Sequence, residues 1–307
     1  MLNRRSFLKT VGAGTAGIYL YPNLSPLSAQ SKSLSISLAQ WSLHRSFKEK
    51  TLDPVDFASI AKRDFDINAV EYVNGFYADK KKDNSFWKSM RTRANDNGVS
   101  NLLIMVDEEG ELGNASASKR KKAVENHKPW VDAAREMGCH SVRVNAFGDS
   151  EQNVLRESLI DGLGQLVEYA STMDISILIE NHGLHSSNAE FIVEVIEKVN
   201  NPALGTLPDF GNWCTGKKWG SIQRGSCEEV YDLYKGVKTF LPFAKGVSAK
   251  SYQFDAKGNE TLIDYKEMIQ LVKASSFTGF IGIEYEGNEL PEAEGILATK
   301  ALLQRLI

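Results

Sequence analysis

The chain has little of what disulfide frameworks and zinc ribbons are built from. Among its 307 residues there are three cysteines, Cys139, Cys214 and Cys227. The odd count and wide spacing are not those of a disulfide framework, and no Cys-x-x-Cys pair exists to hold zinc. A Cys214–Cys227 bridge stays open for an oxidising compartment. Histidine is scarce too, with five residues: His44, His127, His140, His182 and His185. Neither sign of charge dominates: 36 Lys and Arg face 39 Asp and Glu, a net charge of -3. That excludes a strongly basic surface for nucleic acid or an anionic membrane. The one short basic run, ADKKKDN at 78–84, is flanked by Asp and reads as a solvated loop. No apolar stretch approaches the ~20 residues of a membrane-spanning helix. No Gly-rich phosphate fingerprint follows the first strand-like run, and no low-complexity linker divides residues 31–307, which read as a single domain.

What is present begins with an address. Arg4 and Arg5 adjoin, followed by Ser6-Phe7-Leu8-Lys9, a short apolar run from Val11 to Tyr21, and a Pro- and Ser-containing stretch ending in small residues. This order is that of a twin-arginine export signal. Residues 1–30 are therefore expected to be the signal, with cleavage near Ala29. The expected partner is the twin-arginine export machinery and the expected location is the periplasm. The Gly-rich VGAGTAG at 11–17 belongs to this signal and is no dinucleotide loop.

Beyond it, short apolar runs alternate with amphipathic segments. The runs lie at 34–43, 67–74, 100–107, 140–148, 175–183, 203–212, 243–252 and 279–287. Helical periodicity covers 53–65, 84–97, 118–137, 151–172, 188–199, 226–240, 264–275 and 290–306. Repeated strand–helix units build a parallel sheet with helical crossovers. The number of units predicts an α/β fold, a (β/α)8 TIM barrel, with an open doubly wound sheet as the alternative.

In such a barrel the site lies where strands end. Several of these runs end on polar groups. The second carries Glu71 and Asn74, and the fourth Arg143 and Asn145. The fifth, SILIENHG, ends in Glu180 and His182, two apart and so on one side of the strand. The sixth ends in Asp209, followed by Asn212 and Trp213. The seventh carries Ser248, Lys250 and Tyr252, and the eighth Glu284 and Glu286. Carboxylates gathered at one mouth repel, and their pKa values rise unless a cation sits among them. Hard divalent cations favour such oxygen ligands. The cluster thus predicts a metal or a neutralising Lys or Arg.

The segments AVEYVN, ILIENHG, LPDFGNW, GVSAK and GIEYEG, in that order, make the chain resemble the sugar phosphate isomerase/epimerase family. These are xylose isomerase-like barrels that also include endonuclease relatives. The resemblance spans residues 34–307. It implies a divalent metal, manganese or similar, held by Glu180, Asp209 and Glu284, with both glutamates also serving as the acid–base pair. Two imidazoles of the family pattern are absent: the strand-seven histidine falls at Ser248, and the position three after Asp209 is Asn212. Two replacements are open, His182 as a further ligand or Lys250 as a fixed positive charge in place of the ion.

The implied chemistry is proton transfer beside a carbonyl of a carbohydrate. One glutamate removes the proton and the other returns it, while a metal or Lys250 stabilises the enediolate oxygen. Glu180, Glu284 and Lys250 are the expected catalytic groups. Glu71, His182, Asn212, Trp41, Trp213 and Glu286 are expected to bind substrate, with Phe76 and Tyr77 as further stacking candidates. Glu71 has a second reading, as an ion-pair partner of Arg143 in the core. Loss of a leaving group at the next carbon would make the same barrel a 3-keto-glycoside lyase. A non-catalytic carbohydrate-binding barrel and a Schiff-base reaction at Lys250 are the remaining readings. The scarcity of histidine argues against a multi-metal endonuclease.

Overall fold

A computed structural model describes residues 34–223, 225 and 227–307. The expected export signal at 1–30 lies outside the described residues. Strands β1 (Leu34–Ala39), β2 (Ala69–Val73), β3 (Ser100–Met105), β4 (Ser141–Asn145), β5 (Ser176–Glu180), β6 (Leu204–Leu207), β7 (Val247–Ser251) and β8 (Gly279–Tyr285) alternate with helices. The helices are α1 (His44–Lys48), α2 (Phe57–Phe65), α3 (Asn84–Asp96), α4 (Ala117–Met137), α5 (Gln152–Ser171), α6 (Ala189–Val199), α7 (Leu233–Phe240), α8 (Tyr265–Ala274) and α9 (Glu292–Leu306).

Every strand pairing is parallel, in the order β6-β5-β4-β3-β2-β1-β8-β7. The two ends of that order meet through isolated parallel bridges, Thr206 with Ala244 and Asp209 with Ser248. This is the (β/α)8 barrel that the alternation predicts.

The strands are apolar because both faces are covered. On β3, Ile104 packs outward into the large core under the helices. Its neighbours Leu103 and Met105 point into the barrel, where they join Ala39, Val73, Leu178 and Leu207 in a separate small cluster. Helices α3, α5, α6, α7 and α8 start where side chains satisfy their free N–H groups. Asn188 accepts from the Phe191 amide, and Asp83, Asp232 and Asp264 do the same for α3, α7 and α8. Such caps are each worth roughly 1 kcal/mol.

Several boundaries differ from the sequence reading. The first apolar run stops being strand at Ala39 and turns through a 3-10 segment at Gln40–Leu43. The sixth is strand only over Leu204–Leu207, because Pro208 follows and brings no N–H for a ladder. The helix expected at 226–240 begins at Leu233. The long connection from β6 to α7 is held instead by a Cys214–Cys227 disulfide. Cys139 is free and buried. No helix among the described residues is long and apolar enough to cross a membrane.

Candidate active site

Register brings the polar groups to one level. Asn145 pairs across from Glu180, and Lys250 across from Glu284. The polar end of β5 answers to three different neighbours. Asn181 clamps the start of the β6–α7 connection: its Nδ2 donates to the Asp209 carbonyl at 3.0 Å, and its Oδ1 accepts from the Asp209 amide at 2.8 Å. Glu180 turns inward, with Oε2 at 2.8 Å from Arg143 Nε and Oε1 accepting from Asn212 Nδ2 at 3.1 Å. The Arg143 contact is an ion pair without an aligned hydrogen bond, since Nε and Oε2 both lack a hydrogen-bond partner among the described residues. His182 Nδ1 lies 2.7 Å from Asn145 Oδ1. The Asn145 amide is oriented by its Nδ2, which donates to Asp107 Oδ1 at 2.7 Å. Its oxygen therefore faces the imidazole, so His182 carries its proton on Nδ1 and leaves Nε2 as an acceptor.

A second group of contacts centres on Ser248. Its hydroxyl lies 2.6 Å from Asp209 Oδ2 and 2.8 Å from Glu284 Oε2. A hydroxyl has one proton, so two short contacts to carboxyl oxygens require a proton on one of the acids. Burial pushes the Asp209 carboxyl well above the usual range, against the pull of Lys250, and places the proton there. Lys250 Nζ reaches Glu284 at 2.9 Å, Glu286 at 3.1 Å and Asp209 at 3.8 Å. Burial alone would lower this ammonium, but the carboxylates around it, Glu284 first, hold it well above the ordinary lysine range.

The glutamates are driven apart. Burial raises Glu180 to about 7 despite Arg143. Glu284 is held below its ordinary value because the charge and hydrogen bond of Lys250 outweigh burial. Burial lowers His182 to about 3, with the Arg143 charge adding to it. Burial opposes ionisation of Asp107, but Arg143 and His182 overcome it and bring the acid to about 2.

These groups surround a cavity of about 430 Å³ at the mouth. Trp41, His182, Glu284 and Glu286 line it, as expected of a site there. Glu180, Asp209, Asn212 and Lys250 lie one layer behind, each no more than 1% exposed. Glu71 sits deeper in the barrel. Ser37 Oγ donates to its Oε1 at 2.6 Å, and Gly282 makes room for it, since a Cβ there would lie 2.5 Å from that oxygen. Of the two readings of Glu71, no ion pair to Arg143 forms, and burial raises it to about 7. Trp213 is a correction. It is fully buried away from the mouth, against Tyr231 and Phe240, where Gly236 leaves space for its ring. Tyr77 is buried as well, bonded to Gln40 and the Pro54 carbonyl. Phe76 remains beside Trp41 at 6.2 Å between ring centroids.

The sequence reading missed Asp107, Lys48, Trp219 and Ser221, all of which border the cavity. Asp107 had a signal, as the carboxylate closing the third apolar run. Trp219 and Ser221 lie in an aperiodic connection that offers none.

Glu180, Asp209 and Glu284 form a buried triad whose ligand oxygens all lie within 4.8 Å of one another, so they could hold a metal ion. The surroundings fit one. Glu180 Oε2 and Asn212 Oδ1 are buried without hydrogen-bond partners among the described residues. Around them the acids Asp107, Glu180, Asp209, Glu284 and Glu286 outnumber the cations Arg143 and Lys250, and a bound cation would take the place of the protons that burial favours on Glu180 and Asp209. Every donor is oxygen, which matches hard cations such as magnesium, manganese or calcium better than zinc.

A family model described as "Xylose isomerase-like TIM barrel" matches residues 60–306. No curated protein sequence matches the chain. Among solved structures, a D-psicose 3-epimerase in the presence of D-fructose is 10% identical and superposes with a TM-score of 0.66, over 89% of this chain and 99% of that one. The 3-keto-D-glucoside 4-epimerase of E. coli is 12% identical with a TM-score of 0.65, over 89% and 98%. A sugar phosphate isomerase/epimerase from Parabacteroides distasonis is 14% identical with a TM-score of 0.62, over 90% and 95%. At these identities the likeness is one of fold.

Proposed function

We propose that this chain, which belongs to the xylose isomerase-like TIM barrel family, is a sugar isomerase or epimerase that moves a proton at a carbon beside a carbonyl of a carbohydrate. The observation that carries this is the divergence of its two glutamates: Glu284 is held ionised while Glu180 is raised to about 7. Two carboxyl groups in one site, pushed to different protonation states, are what acid–base exchange at neutral pH requires. Glu284, on the cavity wall, is the base. Glu180 carries the proton to be returned, and in the reverse direction the roles exchange. Glu180 lies behind Arg143, whose guanidinium is placed to pair with the carboxylate left when the proton is delivered. Lys250 supplies fixed positive charge for the enediolate oxygen, and the acceptor Nε2 of His182 holds a substrate hydroxyl. A divalent ion held by Glu180, Asp209 and Glu284 would polarise the carbonyl and its enolate. The names of the structural neighbours, sugar epimerases and isomerases, support the same class of substrate.

A second reading shares the first step. Removing the proton beside the ketone of a 3-keto-glycoside expels the group on the next carbon and cleaves the glycosidic bond. A 3-keto-D-glucoside 4-epimerase among the structural neighbours favours keeping it. Export through the twin-arginine route is also proposed, supported by the paired arginines and by the Cys214–Cys227 disulfide, a bond that persists in oxidising compartments.

The test is product analysis by NMR with ketohexoses and 3-keto-glucosides, for the wild type, Glu180→Gln and Glu284→Gln. A new epimer, isomer or cleavage product that falls by at least about a hundredfold in both variants supports the assignment. Turnover undiminished in either variant refutes it. Binding without turnover in the wild type would establish a carbohydrate-binding barrel.

A further inference from the structure

The cavity has aromatic walls on two sides. Trp41 follows β1 directly. His44 stacks on it at 4.8 Å and 14°, and Lys48 Nζ, which also borders the cavity, lies 4.4 Å from the ring. Trp219 comes from the β6–α7 connection and meets His182, just past β5, at 5.0 Å, and Phe147, just past β4, at 5.7 Å. In the strand order, β5 is four steps from β1 in either direction, diametrically across the barrel. The two rings therefore face the mouth from opposite rims, and both line the cavity.

Trp219 is held in place. Its φ is +72°, a backbone state that non-glycine residues keep only where the surroundings enforce it. Three features enforce it. The Cys214–Cys227 disulfide ties the connection to itself. Gly183 and Lys218 form a bridge between β5's end and the connection. Gly183 and Gly220 approach so closely that a Cβ on either would lie within 2.2 or 2.6 Å of backbone oxygen. Yet the ring so positioned is 38% exposed. A large apolar ring fixed in a strained backbone and left open to a cavity is a surface prepared for a ligand.

We infer that Trp41 and Trp219 are two separate sugar-stacking platforms, and that the substrate is a glycoside, a reacting ring with a second ring attached, rather than a free monosaccharide. This rests on the carbohydrate reading above. The reacting ring lies toward Trp41, since β1 neighbours β8, which carries Glu284 with Glu286 just past its end. The attached ring or aglycone lies on Trp219. A wall of this kind adds stacking to a two-ring ligand that a one-ring ligand cannot collect.

Calorimetric titration of the full chain with D-glucose and with cellobiose, maltose, sophorose and gentiobiose tests this without turnover. At least one disaccharide should bind about tenfold more tightly than glucose, the scale of one aromatic stacking contact. That ratio should fall close to one in Trp219→Ala and recover in Trp219→Phe, which keeps a platform and controls for folding. Equal binding of glucose and every disaccharide by the wild type, or a ratio unaltered in Trp219→Ala, overturns the two-platform assignment alone. Absence of binding by any sugar overturns it together with the carbohydrate reading.

Discussion

Replacing Lys250 by Met removes a buried cation that touches three carboxyl groups. Its ammonium lies 2.9 Å from Glu284, 3.1 Å from Glu286 and 3.8 Å from Asp209, on a side chain 1% exposed. Truncating one partner of a buried ion pair leaves the other charge uncompensated and typically costs about 3–5 kcal/mol. For a domain of this size that is a fall in Tm of roughly 5–9 °C. The deficit depends on pH in a defined direction. Glu284 is depressed in the folded state, so the stability it brings is present above its ordinary value of 4.5 and is lost as pH falls through the folded value. Lys250 is raised, so its share is present below its ordinary value of 10.5 and is lost only above that. The Lys250→Met deficit is therefore full near pH 7 and shrinks toward acid, where Glu284 in the variant, without its cation, takes up a proton. Calorimetric unfolding at pH 4, 5.5, 7 and 8.5 measures it. The double variant Lys250→Met, Glu284→Gln should recover a large part of the loss at pH 7, since it removes the stranded charge as well. A Lys250→Met variant as stable as wild type at pH 7, or with a deficit that grows toward acid, refutes the reasoning.

Glu71→Gln should act the other way. Burial raises Glu71 to about 7, so the folded chain loses stability as pH rises from 4.5 through about 7 and the acid ionises inside the barrel. The amide can still accept from Ser37, so the variant should be more stable than wild type by about 1–3 kcal/mol at pH 8 and show no such gain at pH 5. Denaturant unfolding at the two pH values checks this, and equal differences at both would contradict it. For the metal, magnesium, manganese or calcium in excess should raise Tm, by an amount set by mass action at roughly 2–3 kcal/mol per hundredfold excess over Kd. Zinc should raise it less, and Asp209→Ala should abolish the shift. A larger shift with zinc would show that His182 or another nitrogen completes the site.

The barrel was legible because its physics repeats. Strands covered on both faces must be apolar, and helices covered on one face must be periodic, so eight alternations emerge without any contact being known. The ends of those strands were legible for the same reason. Glu180, Asp209, Lys250 and Glu284 interrupt apolar runs, and the structure gathers them as buried polar groups at one end of the barrel. The β6–α7 connection was not legible, since its geometry comes from a disulfide and from two glycines packed on backbone rather than from a period. That is why Trp213, next to Asn212 in sequence, was expected at the mouth and lies under α7, while Trp219 took the exposed place. Glu71 misled by depth. It sits at the level of Ala39, beneath the mouth, with Gly282 leaving it room.

The central claim is that carboxylates of this barrel remove a proton beside a sugar carbonyl, and epimerisation, isomerisation and elimination all begin there. The most direct measurement is uptake of deuterium from D2O into a keto-sugar incubated with the enzyme, read by mass spectrometry on recovered substrate and product. One deuterium at the carbon beside the ketone, lost in Glu284→Gln, is the predicted result. A keto-sugar that binds but keeps its hydrogen through prolonged incubation, with magnesium and manganese supplied, would contradict the account.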